Sequence, residues 1–130
     1  MGRIVSRENY KDGQVIVKEG AFGEGTYVVL SGKVSISKKV GEENVGIAEL
    51  QQNDVFGEIS FIDRESRSAS VTAVGEVQVG LLDKDFLENE INKTSSEFRG
   101  ILKALAERLR KTTQEVIMLK VENHLLKRPQ

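Results

Sequence analysis

The sequence contains no cysteine. Disulfides, thiolate nucleophiles and iron–sulfur clusters are therefore excluded, and a cytoplasmic location is the expectation. Proline occurs once in 130 residues, at Pro129. No run approaches the ~18 apolar residues of a membrane span, and no charged-then-apolar leader opens the chain. Histidine also occurs once, at His124 beside Asn123, so no metal or other cofactor is expected. No Ser-His-Asp set, Walker loop or paired-carboxylate site stands out, and no enzyme is expected. Gly20-Ala-Phe-Gly23-Glu-Gly25 is glycine-rich but has no helical pattern after it, so it reads as turns rather than a phosphate loop. The net charge of −1 carries no global nucleic-acid signature.

What is present suffices for one domain plus an appendage. Hydrophobic residues make up 38% and charged residues 30%, ordinary for a protein with a core. The charge is uneven. From Lys103 onward seven Lys/Arg stand against three Glu. A basic helix of this kind is ordinarily a solvated or pairing face, and no DNA contact by this chain itself is expected.

Residues 14–82 read as an all-β body. Short β-rich runs recur at 14–17, 26–30, 33–37, 45–50, 69–73 and 77–82, punctuated by glycines. That spacing indicates a sandwich or barrel. Lys33-Val-Ser-Ile-Ser37 alternates with period two, so one face is buried. Ser31-Gly32 reads as a turn, glycine supplying positive φ. Asp83 is the expected N-cap of a short helix through Glu90. Thr94-Ser-Ser-Glu97 resembles a capping box, with a long helix after it. The expected organisation is a β-roll over residues 1–93 and a C-terminal helix over 94–130.

The stretch Val55 to Ala73 concentrates unusual chemistry: V-F-G-E-I-S-F-I-D-R-E-S-R-S-A-S-V-T-A. Gly57 permits a sharp turn, and Glu58-Ile59-Ser60-Phe61-Ile62 can form one helical turn. A helix N-terminus offers unpaired N–H groups to an anion. Arg67 returns nine residues after Glu58, and its planar fork can donate two hydrogen bonds to phosphate oxygens. Ser68 adds a hydroxyl and an N–H. Glu58 would repel phosphate, but it fits a ligand that also presents a hydroxyl donor, such as a ribose 2′-OH. The plainer alternative is an ordinary Glu58–Arg67 ion pair across a surface loop.

The string Phe56-Gly57-Glu58 … Arg67-Ser68-Ala69-Ser70-Val71 resembles the phosphate-binding cassette of cyclic nucleotide-binding domains, whose pattern is roughly F-G-E followed by R-[SAT]-A-x-V. Asp12-Gly13-Gln14 through Gly20, and Tyr27 through Val34, look like that family's early strands and turns. The resemblance covers roughly residues 10–127 and points to the catabolite activator superfamily, without a DNA-binding domain. It implies a mainly β fold: a double-stranded β-helix (jelly-roll) barrel with short flanking helices and a long C-terminal dimerisation helix. It implies a cyclic nucleotide held by Gly57, Glu58, Ile59, Ser60, Arg67, Ser68 and Ala69. Ser60 departs from the family, which often has Ala or Gly there.

The long helix carries a second pattern. Phe98, Leu102, Leu105, Leu109, Thr112, Val116, Leu119, Asn123 and Leu126 step by four and three, a heptad seam. Asn123 falls at an a position, where a buried Asn fixes register in a parallel dimer. Glu115 with Lys120, and Glu122 with Lys127, fall where partner chains would pair them, each worth ~0.3–0.5 kcal/mol. A parallel homodimer is the expectation; the alternative is a helix packed on its own barrel, and both can hold at different levels. Ala106 to Val116 also resembles the dimer helix of the catabolite activator family, where a Thr-Ser pair contacts the adenine amine. The resemblance implies that Thr112 and Thr113 contact adenine, one of them from the partner chain. It favours cAMP, with cGMP the alternative because the Ser68 hydroxyl can serve it. Arg108 lies one turn before Thr112 and could pair with Glu58, a solvated flank being the plainer reading. The expected function is a cyclic nucleotide sensor signalling through its dimer helix to an output protein or domain that the sequence does not identify. The alternatives are a docking module of the same fold that has lost nucleotide, or the sensor half of a longer transcription regulator.

Overall fold

The computed structural model describes residues 3–23 and 25–127, with the side chains of the last helix as far as residue 123. Six antiparallel strands and three helices follow in the order β1 (Ile4–Tyr10), β2 (Val15–Val17), β3 (Tyr27–Val40), β4 (Glu43–Leu50), β5 (Val55–Phe56), α1 (Glu58–Asp63), β6 (Ser70–Leu82), α2 (Lys84–Asn92) and α3 (Ser96–Lys127). The sheet runs β1-β6-β3-β4, with β2 added to β6 and β5 added to β3. The jelly-roll expectation and the long terminal helix are thus both met.

Two long strands let one sheet wrap around a core. The first end of β3 pairs with β5 at Tyr27 and Val28, and its far end pairs with β4 from Val34 to Val40. Likewise β6 pairs with β2 at Val71 and Thr72, and with β1 from Val77 to Leu82. Both bend at one corner, where the β3–β6 register jumps between Ser31 and Lys33. Gly32 (φ 84°) and Gly75 (φ 71°) sit at that corner, and a Cβ on Gly32 would stand 2.4 Å from the Glu76 carbonyl oxygen. Ser31-Gly32 is therefore not the turn expected between two strands. It lies inside β3, opposite a register shift in which β6 carries the extra residues, with the expected positive φ serving a corner.

Inside the roll lie Val17, Val29, Val34, Phe56, Val71, Ala73, Val77 and Val79. The period-two reading of residues 33–37 holds: Val34 is fully buried and Ile36 packs on the core. Tyr27 stacks on Phe56 at 5.1 Å between ring centres, which anchors β5 just before the turn at Gly57. Asp83 caps α2, its carboxylate accepting from the N–H groups of Asp85 and Phe86. For α3 the cap is one residue later than the expected box. Ser95 Oγ accepts the Phe98 N–H at 3.1 Å, while the Thr94 hydroxyl donates back to the Ile91 carbonyl.

Candidate functional site

Gly57 opens the site. It precedes α1 in the left-handed region (φ 85°), and a Cβ there would meet the Gly25 carbonyl oxygen at 2.5 Å. Only glycine fits this approach. The close contact gathers two carbonyls around Arg67: Nη1 donates to the Gly57 oxygen at 2.9 Å and Nη2 to the Gly25 oxygen at 2.8 Å. A guanidinium has five N–H groups, so these two carbonyls do not exhaust its donors. Arg67 is 8% exposed. Burial pulls its pKa down, while the Tyr27 and Glu58 side chains oppose that. It remains a cation.

The glycine-rich loop before β3 has a use that the sequence did not reveal. The Arg67 N–H donates to the Ala21 carbonyl, and the Gly20 N–H donates to the Arg67 carbonyl, both at 2.8 Å. With the Gly25 carbonyl, this loop straps Arg67 from backbone to tip. It is a positioning element for the arginine; of the expected turns, the described residues hold one, at Glu19–Gly20.

Glu58 begins α1 and faces the same cavity. Burial pushes its carboxyl pKa up, against its own backbone N–H and the Arg67 charge. Arg67 directs its two terminal nitrogens at carbonyls, so the simple Glu58–Arg67 surface pair is not how the two groups are used here. The cavity measures about 270 Å³. Val17, Ile36, Leu50 and Val71 give it an apolar wall, and the cassette residues Gly57, Glu58, Ile59, Ser60, Arg67, Ser68 and Ala69 all line it. A second, more polar lobe of about 250 Å³ shares Arg67, Ser68, Arg110 and Thr113 and adds Glu19, Lys38, Ser66 and Gln114. Apolar surface with a few convergent polar groups is the usual character of a small-molecule site.

Helix α3 closes the cavity with one face. Ala106 and Ile117 are buried, and Arg110 and Thr113 are partly covered. Arg110 holds Asp63 of α1 through two N–H···O bonds, one of them 2.9 Å, and makes a long 3.5 Å contact to Ser60 Oγ. Ser60 is 3% exposed, so a hydroxyl there gives Arg110 a polar neighbour that Ala or Gly would not. The sequence offered Arg108 as a partner of Glu58, with a solvated flank the plainer reading, and the flank is what is found. The structure leaves Arg108 exposed and turns Arg110 inward. The available signal was spacing: Arg110 precedes Thr113 by three residues and shares its face.

The two threonines separate. Thr113 lines both lobes. Thr112 is exposed and does not line this chain's cavity. Most of the heptad seam is exposed: Leu105 is 55% exposed, Leu109 47% and Leu119 64%, Asn123 is also exposed, and Leu102 and Val116 are partly covered. Phe98, the first residue of the seam, is exposed too, and Ile101 adds to this apolar stripe. The side chains of His124 and Leu126 lie outside the described residues. Lys120 is turned to the barrel, donating to the Gly46 carbonyl at 2.6 Å, so the expected Glu115–Lys120 pair would compete with that bond. Among the described residues no cluster of three metal-ligand side chains occurs, and no helix is long and apolar enough to cross a membrane.

Comparison with known proteins agrees with this fold. Residues 7–94 match the family described as the cyclic nucleotide-binding domain. The chain is 32% identical over 110 residues to a CRP-like cAMP-activated global transcriptional regulator of Mycobacterium tuberculosis, covering 83% of this chain and 49% of that protein. It is 32% identical over 118 residues to the cyclic AMP receptor protein of Thermus thermophilus, covering 89% and 54%. Thus the chain spans about half the length of these curated relatives. Among solved structures, the cAMP-bound form of the EAL enzyme Bd1971 superposes with a TM-score of 0.80 at 25% identity, over 94% of this chain and 33% of that one. Its cGMP-bound form superposes at 0.75, with 27% identity over 94% and 33%.

Proposed function

Because the chain belongs to the cyclic nucleotide-binding domain family, we propose that it is a sensor of cAMP that reports occupancy through α3. The observation that carries this reading is the Arg67 fork. Two of its N–H groups are fixed by the Gly57 and Gly25 carbonyls, and the residue lines a cavity sized for a small ligand. In this reading the cyclic phosphate sits against Arg67 and Ser68, and the ribose 2′-OH donates to Glu58. The base lies toward Thr113 of the same chain.

Signalling is a population shift. Ligand touches the cassette and α3 together, so it favours the arrangement in which α3 is seated. The exposed seam of α3 then joins a second copy in a parallel homodimer, which brings Thr112 of the partner chain toward the base. A cAMP-activated relative and a cAMP-bound structural neighbour support cAMP; the cGMP-bound form of that neighbour keeps cGMP as the second ligand to test. The output lies in a further domain or a partner protein.

Isothermal titration of cAMP and cGMP into purified protein tests the reading. Binding of cAMP near one per chain, tighter than cGMP, is the expected result. No heat with either nucleotide, in protein that is folded and ligand-free, would leave α3 as a docking surface on a fold without nucleotide.

A further inference from the structure

Lys38 lies outside the F-G-E … R-S-A pattern and lines the smaller, polar lobe beside Ser66, Arg67 and Ser68. It projects from the far half of β3. Its ammonium donates to the Ser68 carbonyl at 2.9 Å and pairs with Glu19 at 3.2 Å. Glu19 is fixed in turn. Its second carboxylate oxygen accepts the Lys39 N–H at 2.8 Å, and its own N–H donates to Ser70 Oγ at 2.9 Å. Both side chains are only about a quarter exposed, Lys38 at 23% and Glu19 at 25%. Three segments thus converge on the peptides that link Arg67 to β6: the turn just after β2, the far end of β3 and the start of β6.

The consequence follows from peptide planarity. In a trans peptide the C=O and the next N–H point in opposite directions. With the Ser68 oxygen drawn toward the Lys38 ammonium, the Ala69 N–H turns away from Lys38. Ala69 and Ser68 both line the main cavity, beside Arg67. Resting on the proposed cyclic nucleotide reading, we infer that Lys38, braced by Glu19, is a positioning residue that holds the Ala69 N–H toward one exocyclic oxygen of the cyclic phosphate. The group acts through the backbone. Its ammonium lines the polar lobe but is already engaged by the Ser68 carbonyl and by Glu19.

This geometry makes the effect of Lys38 stereochemical. The two exocyclic oxygens of a cyclic phosphate are distinct, and replacing either with sulfur gives the Rp or Sp phosphorothioate. Only the isomer that keeps oxygen opposite Ala69 retains a good acceptor for that N–H. Titrations of cAMP and both phosphorothioates into wild-type, Lys38→Met, Lys38→Arg and Glu19→Gln protein test the inference. Lys38→Met should weaken cAMP about tenfold, the scale of one charge-assisted hydrogen bond. It should weaken one phosphorothioate by a similar factor and the other little, so the ratio between the isomers moves toward one. Lys38→Arg should restore most of the ratio, and Glu19→Gln should fall between. A Lys38→Met protein that keeps the wild-type isomer ratio would overturn the inference.

A second readout needs no nucleotide. In ligand-free protein, Lys38→Met should shift the Ser68 carbonyl carbon and the Ala69 amide resonances, with smaller changes elsewhere in β6. Unmoved signals there would overturn the role of Lys38, whatever the titrations show. Failure of wild-type protein to bind either nucleotide would instead count against the proposed function, and the resonance shifts would still decide the question of Lys38.

Discussion

Arg110 on α3 clasps Asp63 on α1 across 47 residues of sequence, with both nitrogens of one edge of its guanidinium. The pair ties the cassette helix to the closing helix at the rim of the cavity. The Asp63 side chain is 4% exposed. Burial raises its pKa, but hydrogen bonds from Arg110 and from the Glu65 N–H outweigh that and bring it below the ordinary carboxylate value of 3.8.

The sign of the pH effect follows. A depressed carboxyl pKa contributes stability above the unfolded value, and loses it as pH falls through the folded value. Asp63→Asn should cost about 1–3 kcal/mol near pH 7, the range for a charged hydrogen bond. The gap between this variant and wild type should close in acid, below the depressed pKa. Urea midpoints at several pH values measure it, and a gap that persists there would place the stabilisation elsewhere.

Glu58 has the opposite sign. Its raised pKa means that the folded state resists the charge. Stability therefore falls as pH climbs from the ordinary glutamate value through the raised one, and the penalty is complete above it. Glu58→Gln should raise the melting temperature of nucleotide-free protein at neutral pH while weakening cAMP. A variant that loses both stability and affinity would show that Glu58 is held by native contacts rather than strained by burial.

Arg67 serves fold and ligand together. Arg67→Ala should weaken cAMP by roughly 10- to 150-fold, the range for a charged hydrogen bond, and also leave the Gly57 and Gly25 carbonyls without their donors. Arg67→Lys keeps the charge but not the fork, so titration should find it far closer to Ala than to wild type. Near-native affinity in Arg67→Ala would remove the arginine from the site.

Two glycines with similar φ should respond differently. Gly75 (φ 71°) has open space where a Cβ would go, whereas at Gly57 (φ 85°) a Cβ would stand 2.5 Å from the Gly25 oxygen. Gly75→Ala should cost about 1–2 kcal/mol, the left-handed penalty alone. Gly57→Ala should cost more and reduce affinity, because the displaced carbonyl is a partner of Arg67. Equal costs in denaturant unfolding would mean that the chain relaxes freely around Gly57.

The exposed seam can be tested without disturbing the cavity. Leu105 and Leu119 face outward and do not line it. The double change Leu105→Asp with Leu119→Asp should give monomers in sedimentation at concentrations where wild type is dimeric, with the barrel still folded. Unchanged self-association would move the interface off this seam.

Much of the cassette was legible because its residues lie close in sequence and each type has one physical use there. The Asp83 cap was equally local. Strand β1 was not: Ile4 to Tyr10 is mostly polar, and as an edge strand it has half its surface exposed. Gly32 was read correctly for φ and wrongly for topology, since positive φ serves a turn or a corner inside a strand, and only the strand opposite decides. Lys38, Gly25 and Arg110 escaped for a related reason. Their partners lie 30, 42 and 47 residues away, and no local pattern encodes that distance. Thr113 could be chosen by resemblance, but which of the two threonines faces its own cavity depended on how α3 docks.

Helix α3 shows one consequence of its own geometry. Arg110 and Thr113 line the chamber, with Ala106 and Ile117 buried on the same face, while Leu105 and Leu119 lie on the opposite flank. Substitutions at Leu105 and Leu119 leave the lining of the chamber untouched. A lineage can therefore exchange what the helix speaks to without altering what the chamber hears, and the same sensing half can be passed from one output to another.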